Sequence, residues 1–150
     1  MWITSWTALR WFGSRNIVFY VFQMYAKMAG RDVLAAEVRS PAYSTPAVGI
    51  VPALKDVPCL DAGAYRTADG QRLAIFLVNR NVRRSAAVKL DLASAPWRAE
   101  SITSLTADSY KAENSPSEPN KVVPVTTAGG AITSLGLPKH SLARVDLIRK

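Results

Sequence analysis

The chain has 150 residues, 49% of them hydrophobic and 20% charged, which suits one ordinary domain and excludes a barrel enzyme of about 250 residues. Nineteen Lys and Arg against eleven Asp and Glu give a net charge of +8, a field that attracts polyanions or an acidic partner surface. One cysteine, Cys59, excludes an internal disulfide and a cysteine-built zinc cluster, and reads as a small buried apolar residue.

The first stretch, "MWITSWTALRWFGS" (1–14), carries Trp2, Trp6 and Trp11 without helical or strand regularity, so it is expected to be irregular. From Asn16 to Ala29 there is neither Pro nor Gly, and Phe19, Phe22, Tyr25, Ala26 and Ala29 fall at helical spacing. Asn16 or Ser14 is the N-cap and Gly30 the C-cap, which places a helix within residues 15–30 whose aromatic face needs a partner. The apolar run "IVFYVFQMYA" is shorter than the roughly 18 residues of a membrane span, and no membrane association is expected. Gln23 interrupts the run and no small-x-small cleavage site follows, so it is a poor signal peptide. The compartment stays open, with the cytoplasm favoured over secretion.

After Gly30 the hydrophobic period changes to two, and residues 31–150 read as short strands between turn signals. "VLAAEV" (33–38) is the first candidate strand. Residues 40–58 hold Pro41, Pro46, Pro52 and Pro58 and are expected to form an extended connection with little regular structure. "CLDAGAY" and "RLAIFLVN" make a hairpin about Asp69-Gly70, and "AIFLV" is apolar on both faces, as in a central strand covered on each side. "SAAVKLDL", "AESITSLT", "VVPVTT", "AITSL" and "SLARVDLI" complete the set, with a polar loop of about fifteen residues, "ADSYKAENSPSEPNK", between the second and third. The fold class expected is all-β: a two-sheet β-sandwich preceded by one N-terminal α-helix.

Chemistry has few carriers. His140 is the single histidine and sits in a turn before the last strand, where it reads as a cap on backbone groups; no G-x-S-x-G elbow accompanies it. No ligand spacing for a metal appears, and no cofactor is expected. Glycan hydrolysis requires two carboxylates about 5 to 10 Å apart, one in an apolar setting. None of Glu37, Glu100, Glu113 and Glu118 lies in such a setting. The basic residues are scattered, apart from a knot at Arg80, Arg83 and Arg84 outside any nucleic-acid motif, so nucleic-acid binding is not expected. Tryptophan can stack on sugars, and Trp97 is the candidate platform, against the plainer reading that it covers apolar surface.

Four segments, "FYVFQMYAKMAGRDVLAAEV", "VPCLDAGAYRTADGQRLAIFLVNRN", "AENSPSEPNKVVP" and "LPKHSLARVDL", occur in an order that resembles the C-terminal region of α-L-arabinofuranosidases of glycoside hydrolase family 51. The resemblance runs from about Asn16 to Leu147. It implies a jelly-roll-like sandwich packed against a catalytic (β/α) barrel, with residues 15–30 as the barrel's last helix. In that family the acid/base and nucleophile are glutamates on barrel strands, the former after an asparagine. This chain has no Asn-Glu dipeptide, and no catalytic position is carried over. Residues 1–14 depart from the family pattern and read as a non-native start or a new cap on the helix. The resemblance also implies a sandwich completed by a strand from the far N-terminus, whose lack leaves one sheet edge open.

The leading expectation is a non-catalytic, stand-alone or truncated domain with a structural role, self-associating through residues 1–29. The alternatives are a carbohydrate-binding module for an arabinose-containing polysaccharide and a small hydrolase with an unrecognised site.

Overall fold

The computed structural model describes residues 10–11, 14–92, 96–130 and 134–150. Helix α1 (Ile17–Ala26) begins where the Asn16 carboxamide accepts the Val18 N–H at 3.0 Å, the cap its sequence implies. It stops at Ala26 rather than Ala29: Met28 N–H donates to the Tyr25 carbonyl at 2.8 Å, and Gly30, at φ +75°, turns the chain away. Its buried stripe is Tyr20, Met24 and, beyond the helix end, Met28, flanked by Ile17, Val21 and Tyr25. Phe22, expected on that stripe, is 61% exposed. The reason is that "IVFYVF" is apolar almost all round, so the spacing of apolar residues cannot say which side is inward.

Among the described residues ten strands follow a two-residue pair, β1 (Arg10–Trp11) with β2 (Ser14–Arg15): β3 (Asp32–Leu34), β4 (Ala42–Thr45), β5 (Leu54–Pro58), β6 (Leu60–Arg66), β7 (Arg72–Asn79), β8 (Ala86–Lys89), β9 (Trp97–Leu105), β10 (Val125–Ala128), β11 (Ser134–Leu137) and β12 (Ser141–Arg149). Six form an antiparallel sheet in the order β10-β9-β12-β7-β6-β3, and β8 pairs with β11 in a second layer. The fold is all-β and sandwich-like, as its pattern of short strands implies. The β1–β2 pair is the described part of the stretch expected to be irregular, whose remainder lies outside the described residues. Residues 131–133, the first three of the expected strand "AITSL", also lie outside them.

The two apolar faces of β7 explain the layering. Ala74, Phe76 and Val78 point toward α1, while Leu73, Ile75 and Leu77 point toward β8 and β11, each set in its own buried cluster. Tyr25 stacks on Phe76 with ring centroids 4.0 Å apart, and Tyr65 meets the same ring edge-on at 5.7 Å. The partner that the helix's aromatic face requires is the sheet's own central strand, which supplies an apolar surface for it. Strand β9 carries a bulge: Asp146 pairs with Ser101 and Leu147 with Ala99, leaving Glu100 as the extra residue. That insertion lets Ala99 and Ile102, three apart, both face the second cluster.

The β6–β7 hairpin turns as its sequence implies, with Gly70 at φ +70° and the Asp69 carboxylate accepting the Gln71 N–H at 2.9 Å. Residues 40–58 differ from expectation. They form a second hairpin, β4–β5, whose tip closes through mutual hydrogen bonds of 3.0 Å between Val48 and Val51 around Gly49 at φ +58°. Prolines are compatible there because this two-stranded ribbon has open edges, where a missing N–H costs no ladder bond. The expected strand 33–38 shortens to Asp32–Leu34, and 122–127 shifts to Val125–Ala128 because Val122 is buried beneath the loop instead. Among the described residues β3 and β10 are the open edges of the large sheet.

Candidate functional site

The segments that carry the family resemblance meet at one end of the sheet, and their polar residues serve the backbone. Asn79, 2% exposed at the end of β7, donates its amide to the Arg84 and Pro138 carbonyls at 3.0 and 2.9 Å, and its own oxygen accepts the Asn81 N–H at 3.0 Å. Ser141 Oγ donates to the same Pro138 carbonyl at 2.7 Å. Asn114, in the long polar loop, bridges the Arg15 carbonyl at 2.7 Å, the Val122 carbonyl at 2.9 Å and the Val122 N–H at 2.7 Å. It thereby fixes the chain entering α1 to the loop after β9. Asp61 pairs with Arg80 across the β6–β7 ladder, and Cys59 is buried beside Asn81.

His140 takes φ +40° in the turn between β11 and β12, the left-handed region a histidine enters when its surroundings compel it. Its N–H donates to the Asn81 carbonyl at 2.9 Å, and Nε2 lies 2.8 Å from the Ala107 carbonyl, which requires the proton on Nε2. Nδ1 is buried without a hydrogen-bond partner, as is Thr106 Oγ1. Both residues border a pocket of about 280 Å³ between α1 and the 106–112 loop, lined mainly by apolar groups such as Ile17, Val21 and Val122. His140 is thus a turn residue holding backbone, as its sequence position implies.

The glutamates do not converge as an acid/base pair. Glu37 pairs with Arg39, Glu100 with Arg72 at 2.7 Å and Glu118 with Lys121 at 2.8 Å, each at the surface, and Glu113 lies exposed in the polar loop. Among the described residues no group of three metal-ligating side chains is brought together. Three titratable groups among the described residues are displaced from their ordinary values. Burial under the helix pushes the Tyr25 hydroxyl up, aided by Tyr65 and Asp61. The Thr67 hydroxyl and the Gln71 N–H hold Asp69 down, and the Glu118 carboxylate raises Lys121.

Trp97 opens β9 and is half-buried, packed against the second cluster. A more exposed aromatic is Tyr110, at 62%, in the polar loop with the Lys111 ammonium 5.7 Å from its ring centre. It stands beside an open cleft of about 870 Å³ whose walls include Ser85, Ser109, Lys111, Lys121 and Lys139. Sequence reasoning passed over these residues because they lie on three separate loops, and only the length of the polar loop hinted at them.

The family profile described as "Alpha-L-arabinofuranosidase C-terminal domain" matches residues 14–141. No curated protein matches the sequence. Among solved structures, the α-L-arabinofuranosidase from Thermotoga maritima, in an arabinose complex, superposes with a TM-score of 0.81 at 20% identity, over 91% of this chain and 30% of that one. The family 51 enzyme from Xanthomonas axonopodis pv. citri gives 0.72 at 25% identity, over 89% and 26%. The family 51 enzyme AbfB from Bifidobacterium longum gives 0.73 at 23% identity, over 90% and 26%. The chain spans less than a third of the length of these enzymes. With the family match covering residues 14–141, most of its length, the chain belongs to the α-L-arabinofuranosidase C-terminal domain family.

Proposed function

We propose that this chain acts as a non-catalytic structural domain of the arabinofuranosidase type, offering apolar contact surfaces to a neighbouring body of the same system and to further copies of itself. The observation that carries the reading is where apolar surface remains uncovered. Val18 and Phe22 project from the outer side of α1, and Val48, Ile50 and Val51 from the tip of the β4–β5 hairpin, with Ile50 fully exposed. Clusters of exposed large apolar side chains mark contact sites more often than free surface. The buried polar side chains Asn79 and Ser141, with Asn114 of the long loop, hold loop backbone, which leaves the domain's role to its surfaces.

Two measurements test this. Pure protein incubated with an aryl arabinofuranoside is expected to release no arabinose above the buffer rate, and enzymatic release would overturn the non-catalytic reading. Sedimentation at tens of micromolar, an ordinary range for specific association, is expected to show a dimer or larger species that Phe22→Asp with Ile50→Asp converts to monomer. A monomeric parent would remove self-association from the role.

A further inference from the structure

The cleft beside Tyr110 carries a chemistry that the structural role does not use. Its volume of about 870 Å³ lies within the ordinary range for ligand sites, about 300 to 1,000 Å³. Three lysines are among its lining residues, Lys111, Lys121 and Lys139, together with hydroxyl-bearing Ser85 and Ser109. One acid, Asp108, belongs to the same wall and forms no ion pair with a described residue, while Glu118 is engaged by Lys121 at 2.8 Å and Glu113 also acts on Lys121. Lys111 and Lys139 likewise have no carboxylate at ion-pair distance among the described residues. With Lys121 matched by Glu118, Lys111 and Lys139 stand against Asp108 in the lining, and a concavity of net positive charge concentrates its field there.

The supporting backbone is fixed. Asn81 Oδ1 accepts the Arg83 and Arg84 N–H groups at 2.9 and 3.0 Å, and Asn79 ties the Arg84 carbonyl to the Pro138 carbonyl beside Lys139. The exposed Arg83 and Arg84 immediately precede the wall residue Ser85 in the chain and add two further cations to this region. Tyr110 adds a single exposed ring with a lysine at its face.

From this we infer that the cleft binds an acidic oligosaccharide, a run of sugars bearing uronate carboxylates. The lysines would meet the carboxylates, the serines the ring hydroxyls, and Tyr110 the apolar face of one sugar. A single-stranded nucleic acid would need successive aromatic platforms along a groove, whereas the cleft has Tyr110 at its edge, between the lining residues Ser109 and Lys111, and no aromatic in its lining among the described residues. The choice of a glycan among polyanions rests on the arabinofuranosidase-type role proposed above; the cation cluster does not depend on it.

The test is affinity electrophoresis and calorimetry of the full chain with unesterified oligogalacturonate, compared with its methyl ester, neutral arabinan and single-stranded DNA. Retardation is expected with the free acid alone. It should weaken about tenfold in Lys111→Gln with Lys139→Gln, as two exposed ion pairs of up to about 1 kcal/mol each allow. It should also weaken on raising ionic strength from about 0.05 to about 0.2 M. Tyr110→Ala is expected to weaken it further at fixed charge, which charge attraction alone would not produce. Absent retardation of the parent, or equal retardation of the double variant, overturns the site. DNA bound as tightly as the glycan overturns its assignment to sugars. The arabinose-release and sedimentation assays read the structural role separately, and these substitutions lie away from the surfaces they probe.

Discussion

Replacing Asn79 by Ala and, separately, by Asp tests whether the family's shared residues form one structural clamp. The side chain makes three well-formed hydrogen bonds, to the Arg84 and Pro138 carbonyls and from the Asn81 N–H, all between 2.9 and 3.0 Å. At roughly 1 kcal/mol net for each, Asn79→Ala should cost about 3 kcal/mol. With a urea slope of about 2 kcal/mol per M, the midpoint should fall by about 1.5 M. Asn79→Asp keeps the shape and the oxygen that receives Asn81, but sets a carboxylate against two carbonyl oxygens. Burial and those dipoles raise the folded-state pKa of the introduced carboxyl above its unfolded value of about 3.9. Its neutral form is therefore the one the fold tolerates, so the penalty should be smallest below about pH 4 and grow as pH rises through that folded value. Urea titrations of parent and variants at about pH 4 and about pH 7 read the difference. A penalty independent of pH, or an Asn79→Ala loss within about 0.5 kcal/mol, the range of ordinary surface changes, would refute the clamp.

Arg144 and Asp146 lie on the helix-facing side of β12, 8% and 19% exposed, joined at 2.8 Å, with Arg144 Nη1 also donating to the Met24 carbonyl at 3.3 Å. Asp146→Leu should destabilise by about 3 to 5 kcal/mol by stranding the guanidinium, whereas Arg144→Met with Asp146→Leu should cost far less; chemical denaturation compares the two. At Gly129 a Cβ would collide with the Ala99 carbonyl oxygen, so Gly129→Ala should cost about 1 to 3 kcal/mol and loosen β10 from β9, seen as faster amide exchange at Val125–Ala128. The raised pKa of Tyr25 means that the folded state holds a proton the unfolded chain gives up. That stability is full below the unfolded value of about 10 and is lost as pH climbs through the folded value, so Tyr25→Phe should lose less between about pH 8 and about pH 11 than the parent does.

The central hairpin was legible because period and turn chemistry agree: "RLAIFLVN" is β7 from end to end, and Asp69-Gly70 makes its turn. The same two-faced apolar pattern showed that β7 is covered on both sides without saying by what, and α1 is one of the covers. The buried side of α1 was not legible, since a helix apolar all round has no strong direction in its sequence. Four prolines hid the β4–β5 hairpin, because edge pairing tolerates what a central strand rejects. Asn79, Asn114 and His140 could be found as shared words of the resemblance, but their partners are carbonyls whose positions only the folded loops define. Trp97 drew attention through its residue type. Tyr110 and the lysines around it are ordinary residues in sequence and become a group only when the loops at 85, 106–112 and 139 close on one cleft.

Strand β12 lies at the middle of the large sheet, between β9 and β7, so Ile75 waits for Val145 and Ile102 for the same residue. During synthesis the β6–β7 hairpin can form early, yet the inner edges of β7 and β9 have no partner until the residues up to Arg149 have emerged. Closure of the sheet is a late, long-range event, of the kind that slows folding and leaves apolar strand edges open to other chains. The nine residues of β12 thus decide both when the domain becomes native and how long its nascent form needs protection.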